Sequence, residues 1–189
     1  MLPSGPMLSS SIDNAPYFSV SYLPEPRPKA EVVVTRLLLD TRDFTANTGN
    51  FSGSFDLAAS GHGRFENVIA CELKGLAFPK IDGERYVVVD MPVLNDDHLA
   101  STNNSTDRSF AVCYFDSDTL TPGLVKPIKG ADFYQKTIRF RPALNKMERI
   151  DVAFKKWDGN VVTASDVGGA ANVQCSMLLE ISCLNNRGW

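Results

Sequence analysis

The residues that most often carry out chemistry in proteins are few in this chain and widely spaced. Its two histidines are His62, in a glycine-flanked turn, and His98, at the end of the polar run 95–98. Asp96 and Asp97 beside His98 could contribute to a divalent-metal site, because carboxylates and imidazoles are common metal ligands. Adjacent residues of one loop rarely all reach the same ion, however, and no second cluster offers the missing ligands. We therefore predict a solvated loop here, with neither a bound metal nor a cofactor.

The sequence contains none of the motifs that mark common catalytic or nucleotide-binding sites. There is no G-x-S-x-G turn, no H-E-x-x-H zinc motif, no Walker-type phosphate loop and no G-x-G-x-x-G. Paired carboxylates that hydrolyse glycosides meet only in space, and no pair stands out here. The run Asp116-Ser117-Asp118 is more typical of a turn than of a calcium site. We predict that the protein is not an enzyme.

The four cysteines also argue against a metal or redox site. Cys71, Cys113, Cys175 and Cys183 form no C-x-x-C pair, which zinc ribbons and thioredoxin-like sites need. Cys175 and Cys183 lie in one alternating run, where eight residues of strand span about 26 Å, so they cannot bond to each other. We predict buried free thiols in a reducing compartment.

The composition excludes several further classes of protein. The chain has 189 residues, of which 43% are hydrophobic and 22% charged, so it can bury a core and is not disordered by composition. Its net charge of −3 argues against a dedicated nucleic-acid binder, which would show a basic surface. No run of 18 apolar residues occurs, and Met1–Ser11 lacks the features of a secretory signal. We expect a soluble protein of intracellular origin with no membrane span and no specific nucleic-acid partner.

Residues 1–30 differ in composition from the rest of the chain, since they hold six of its eleven prolines. We predict an extended N-terminal arm. Four large apolar side chains, Tyr17, Phe18, Tyr22 and Leu23, could order this arm against a neighbouring subunit. The alternative is a loose terminus that contacts nothing. The sequence leaves both interpretations open.

From residue 31 onward, strand-like runs alternate with turn residues. We count eight runs, at Glu31–Leu39, Phe51–Leu57, Phe65–Phe78, Glu84–Met91, Ser109–Phe115, Lys136–Arg141, Glu148–Trp157 and Gln174–Cys183. Glu31–Leu39 is apolar on both faces, which predicts a buried strand. A change of parity across Gly75 predicts a β-bulge in the third run. In the last run the residues predicted to face inward are Cys175, Met177, Leu179, Ile181 and Cys183.

These runs predict the architecture. No stretch keeps a helical apolar stripe over three turns, so no helices are available to cover a parallel sheet. Two antiparallel sheets packed face to face follow from this, and a jelly roll is the eight-stranded form of such a sandwich. The Cys…Trp…Cys spacing of an immunoglobulin domain is missing. We predict an all-β, eight-stranded antiparallel jelly-roll sandwich over residues 31–189, preceded by the arm of residues 1–30.

A modestly basic stretch in the second half of the chain is a candidate contact surface. Lysines and arginines occur at positions 126, 129, 136, 139, 141, 146 and 149. Arg139 and Arg141 share the outward face of their predicted strand, so they could meet an acidic neighbour. The alternative is an ordinary solvated strand face.

Several segments between residues 31 and 162 share a pattern of a strand followed by a turn. They are Leu37–Asp43, Asn50-Phe51, Phe65–Ile69, Leu76–Pro79, Tyr86–Met91, Ile138–Leu144, Ile150–Phe154 and Trp157–Gly159. In this pattern the chain resembles the single-jelly-roll capsid proteins of large icosahedral nucleocytoplasmic DNA viruses. Proteins of that family are penton subunits or minor capsid proteins, and the family offers no catalytic residues to carry over.

The resemblance implies a structural capsid subunit of the virion, assembled in the host cytoplasm. A short chain with one sandwich resembles the penton type, which closes the five-fold vertices as a homopentamer, whereas major capsid proteins of the family carry two jelly rolls. Partners would then be the major capsid protein and other minor capsid proteins. The residues expected at assembly contacts are Tyr17, Phe18, Tyr22, Leu23, Arg139 and Arg141.

Two alternatives use the same sandwich for another function. A lectin-like carbohydrate-binding module would draw on Trp157 at a hairpin tip and on the loop Asp96–Asn104. A cupin-type enzyme would need several histidines on strands, and the two widely separated histidines make that interpretation the weaker one.

Overall fold

The structure, a computed structural model, describes residues 30–44, 51–59, 63–95, 101–104, 106–115, 125–128, 133–135, 137–168 and 174–185. These residues form β-strands joined by turns, with short 3-10 turns at Thr41–Asp43 and Ala164–Val167. The strands are β1 Glu31–Asp40, β2 Ser52–Asp56, β3 Phe65–Pro79, β4 Tyr86–Asp90, β5 Ala111–Tyr114, β6 Val125–Ile128, β7 Phe133–Gln135, β8 Ile138–Met147, β9 Arg149–Lys155 and β10 Ser176–Asn185.

The strands pair into two antiparallel sheets, which confirms the predicted all-β class. The first sheet has the order β1-β10-β3, and both β6 and β8 pair with the far edge of β3. The second sheet has the order β2-β9-β4-β5-β7. In the first sheet β1 pairs with β10 over its whole length of ten residues.

Alternating side chains of the two sheets meet in one apolar core. Its centre holds three phenylalanines, with ring centroids 5.3 Å apart for Phe51 and Phe78 and 4.8 Å apart for Phe78 and Phe154. The last strand contributes the side chains predicted from its period of two. Cys175, Met177, Leu179 and Ile181 are buried and Cys183 is half-buried, so the predicted register of this strand is confirmed.

The predicted bulge in the third run is present. Leu178 of β10 pairs with Gly75 and its neighbour Leu179 pairs with Leu73, which leaves Lys74 as the extra residue on β3. The bulge restores the inward direction of the apolar side chains on both sides of it, so that Leu73 and Leu76 are both buried.

The predicted count of eight strands is wrong, because ten occur in the described part of the chain. Both missed strands are short, and β6 contains Pro127, a residue that is more typical of turns than of strands. The strand β8 also continues to Met147, past the predicted end at Arg141. Pro142 does not end β8 because that strand lies at the sheet edge, where proline costs no ladder hydrogen bond.

The prediction of a buried first strand is wrong as well. β1 lies at the edge of its sheet, and Val32, Val34 and Leu38 are between 49% and 66% exposed. Only the alternate residues Leu37 and Leu39 are buried in the core. An apolar run on both faces is typical of a central strand, but here one of the two faces has nothing packed on it in the described structure.

Candidate assembly surface

The cysteines and acidic residues of the described chain do not gather into a metal-binding group. No group of three or more His, Cys, Asp or Glu residues within the described ranges is close enough to hold a metal ion. The four cysteines are free thiols, and burial raises the pKa of Cys71 to about 12. Burial also raises the pKa of Cys113 and Cys175, so these thiols are poor nucleophiles. His62, His98 and the acidic runs near 96 and 116 lie outside the described residues.

The most unusual surface of the structure is the exposed part of the edge strand β1. Four of the eight large hydrophobic side chains that are exposed in the described residues lie on this one strand, at Val32, Val33, Val34 and Leu38. β1 is regular over ten residues and pairs on one side only within the described chain. A long, regularly paired, apolar edge strand is the kind of edge that proteins normally protect, because it invites pairing with another chain.

An ion network crosses the outer face of the first sheet beside these residues. Arg36 donates to Glu180 at 3.2 Å, and Lys74 reaches both Glu180 at 3.6 Å and Glu72 at 2.7 Å. Glu72 of β3 is paired with Glu180 of β10. The hydrogen bond between Lys74 and Glu72 raises the pKa of the Lys74 ammonium group. The side chain of Arg36 therefore points toward β10. It does not cover Val34 and Leu38, its apolar neighbours on the same face of β1.

The opposite edge of the first sheet is built differently. Arg139, Arg141 and Pro142 of β8 are exposed, as alternation with Ile138 and Phe140 predicted for the arginines. Residues 140–143 of β8 stand opposite one residue of β3, because Leu144 pairs with Val68 and Arg139 with Ala70. Charge, proline and an irregular register are three ways of preventing strand addition, and this edge has all three.

Other charged side chains stabilise turns by hydrogen bonds within the chain. Lys80 is buried, donates to the carbonyl oxygen of Glu84 and lies 4.7 Å from the ring centroid of Phe115. Burial, and then the charge of Asp158, raise the pKa of the Glu84 carboxyl group.

The carboxylate of Asp166 fastens the neighbouring turn. It accepts hydrogen bonds from the Thr163 backbone and hydroxyl at 2.7 Å and from Lys156 at 3.0 Å. Burial works to raise the pKa of Asp166, but these hydrogen bonds outweigh it and the pKa is lowered. The backbone of Asp166 in turn accepts from the amide of Asp82 at 3.0 Å, so the turn after β3 is held against the 3-10 turn Ala164–Val167.

The structure brings together two of the residues named for a carbohydrate site. Asn103 donates its side-chain amide to the carbonyl oxygen of Trp157 at 2.6 Å, and the indole of Trp157 is 58% exposed. Asp158, next in the chain, accepts from the backbone and side chain of Asn160 at 2.9 and 2.8 Å, which lowers its pKa. Its carboxylate is thus engaged within the turn.

Of the residues predicted at assembly contacts, the structure places Arg139 and Arg141 on the exposed edge β8. Tyr17, Phe18, Tyr22 and Leu23 lie outside the described residues.

The valines of β1 were missed by the sequence analysis. A signal was nevertheless present, because Arg36 shares its parity with Val32, Val34 and Leu38 and so marks their face as one turned to solvent.

The chain has no match among models of protein families, and none among curated proteins. Within the described residues, no helix has the length and apolar character needed to cross a bilayer.

Proposed function

We propose that this protein is a structural capsid subunit of a large icosahedral DNA virus. In the first place it is the penton protein that closes the five-fold vertices, and in the second a minor capsid protein of the same shell. The proposal includes a jelly-roll fold for residues 31–189, no enzymatic activity, and location in the virion after assembly in the host cytoplasm. Its partners are further copies of the chain, the major capsid protein and other minor capsid proteins.

The nested pairing of the strands is the observation that carries the proposal. Apart from β6 and β7, which the sequence did not predict, eight strands remain. The first pairs with the last as β1–β10, the second with the seventh as β2–β9, the third with the sixth as β3–β8, and the middle two as β4–β5. A long antiparallel ribbon gives this order when it is rolled up, and rolling adds the pairs β10–β3 and β9–β4, which are both present. Such nested pairing supports a jelly roll, a fold common in viral shells.

The unequal edges of the first sheet support a subunit that assembles. A closed ring of identical subunits needs two different surfaces on each subunit, because every join is heterologous. The apolar edge β1 and the basic edge β8 supply two surfaces of different chemistry. The resemblance of residues 31–162 to capsid proteins supports the same conclusion independently.

Co-sedimentation with the major capsid protein of a virus of this class tests the proposal. We expect the full-length chain to sediment with assembled shells and to saturate at a number of copies set by the five-fold positions. A chain that stays in the supernatant at all concentrations would contradict the capsid assignment.

A lectin-like module is the second candidate, favoured by the contact between Asn103 and Trp157. Sugar rings stack on exposed indoles, and amides or carboxylates beside them bind the hydroxyl groups. Binding of the full-length chain to an array of glycans tests it, with Trp157→Ala as the variant that should lose any binding. Glycan binding by a strictly monomeric chain would favour the lectin over the capsid subunit.

A further inference from the structure

The two edges of the first sheet differ in how they are protected. β8 carries Arg139, Arg141, Pro142 and an irregular register, whereas β1 has ten regularly paired residues with apolar side chains on its exposed face. Between Glu31 and Asp40, the end residues of β1, Arg36 is the one charged residue, and it forms an ion pair with Glu180. Among the described residues β1 has no strand on its outer side, and an unprotected edge of this kind can receive a further strand.

We propose that β1 accepts an additional strand, and that this strand is Tyr17–Leu23 of a second copy of the chain. The inference rests on the proposed function, in which copies of the chain meet in a shell. Main-chain hydrogen bonds would extend the first sheet by one strand, and the apolar side chains of β1 would be covered at the same time.

The sequence of the N-terminal segment fits this edge. Phe18, Val20 and Tyr22 alternate with Ser19 and Ser21, a pattern that predicts a strand with one apolar face. On β1 the exposed apolar residues Val32, Val34 and Leu38 also share one parity. An added strand can therefore place its large side chains beside these three on the outer face of the sheet, where cross-strand apolar pairs stabilise the ladder.

The prolines between the segment and β1 indicate that the acceptor is another copy. Pro24, Pro26 and Pro28 fix their own φ angles and restrict the residue before each of them to extended conformations. The stretch 22–30 contains no glycine, asparagine or aspartate to supply the positive φ of a tight hairpin. In the polyproline conformation that these prolines favour, the seven residues 24–30 would span about 22 Å, which would keep the segment from folding back onto the β1 that follows it.

Two substitutions in the full-length chain separate donor from acceptor. Val34→Lys places a charge on the acceptor strand, and Val20→Pro removes a backbone donor from the added strand. The matched controls are Val93→Lys, at an equally exposed valine away from β1, and Ile12→Pro, outside the proposed strand. Thermal unfolding of each variant checks that the sandwich is intact.

Sedimentation velocity over a concentration series is the measurement. We expect each of the two substitutions to weaken self-association at least about tenfold and both controls to associate like the unmodified chain. In an equal mixture of the two variants, Val34→Lys copies can donate and Val20→Pro copies can accept. Up to half of the joins should then return, and only as mixed dimers, because each join needs a Val34→Lys donor and a Val20→Pro acceptor and the dimer has no further intact pair.

Each of the remaining outcomes would contradict the inference and would indicate a different alternative. A mixture that recovers nothing would indicate that the segment covers its own β1. Normal association of Val20→Pro with loss in Val34→Lys would indicate that two β1 strands pair directly. If both variants form rings like the unmodified chain, the strand addition is wrong while the capsid function stands. If the unmodified chain does not self-associate at any concentration, the strand addition is overturned, and co-sedimentation with the major capsid protein still decides the capsid function.

Discussion

Replacing Gly53 by alanine should destabilise the sandwich, because the space beside this glycine is filled by an aromatic ring. A Cβ atom built on Gly53 would lie 2.5 Å from Cγ and 2.6 Å from Cδ2 of Phe44. Carbon atoms in good contact are about 3.5–4.0 Å apart, so the ring would have to move by about 1 Å. Phe44 is buried, and its ring centroid lies 4.6 Å from that of Phe55, so the movement disturbs two aromatic side chains.

The expected loss follows from this geometry. Overpacking of a filled core costs about 1–3 kcal/mol, and partial loss of an aromatic pair about 0.5–1.5 kcal/mol. Replacing a glycine in a strand returns about 0.5–1 kcal/mol of conformational entropy. We therefore expect Gly53→Ala to lower the free energy of unfolding by about 1–3 kcal/mol.

Urea unfolding followed by tryptophan fluorescence is the assay, with Gly75→Ala as the control. A Cβ at Gly75 meets only the Cβ of Leu178, at 3.9 Å, which is an ordinary contact, so this variant should match or slightly exceed the unmodified chain in stability. A second variant, Gly53→Ala with Phe44→Leu, should lose less than the sum of the two single changes. Equal stability of Gly53→Ala and Gly75→Ala would refute the reasoning.

Three further predictions concern buried groups and the exposed tryptophan. Because the pKa of Glu84 is raised, the folded state holds this proton more tightly than the unfolded state, so ionised Glu84 lowers stability at neutral pH. Glu84→Gln should therefore raise the urea midpoint at pH 7, and its advantage should shrink as the pH falls through the raised pKa and vanish below the pKa that Glu84 has in the unfolded chain. An advantage that does not change with pH would contradict this. A thiol reagent added to the native protein should modify half-buried Cys183 well before buried Cys175 in the same run, as mass spectrometry of the modified peptides can show, and rapid modification of both would mean that the register of β10 is wrong. Trp157→Ala should change the free energy of unfolding by less than about 0.5 kcal/mol, since the indole is mostly exposed, and a loss above 2 kcal/mol would show an unrecognised packing role.

Period-two alternation was enough to predict most of the strands. The inward residues of β10 and the bulge near Gly75 follow from the need to keep polar side chains such as Glu180 out of the core. Arg139 and Arg141 could be placed on an exposed face for the same reason. These features depend only on local sequence.

Features that depend on neighbours far along the chain could not be predicted. Whether β1 is central or at an edge depends on which strands pair with it, and a run of valines is compatible with either position. The strand β6 was missed because a proline is compatible with an edge but not with a central strand. The cluster around Asp166 joins turns more than 80 residues apart, and nothing in any one of them indicates the others.

Native mass spectrometry of the purified full-length chain tests the capsid assignment most directly. The account predicts a species of five copies of the 20.7 kDa chain, about 104 kDa, that grows with protein concentration at the expense of the single chain. A closed ring of standard-sized joins of about 1,600 Å² each should survive gentle transfer to the gas phase. A mass of one chain at every concentration, together with failure to join shells of the major capsid protein, would contradict the account.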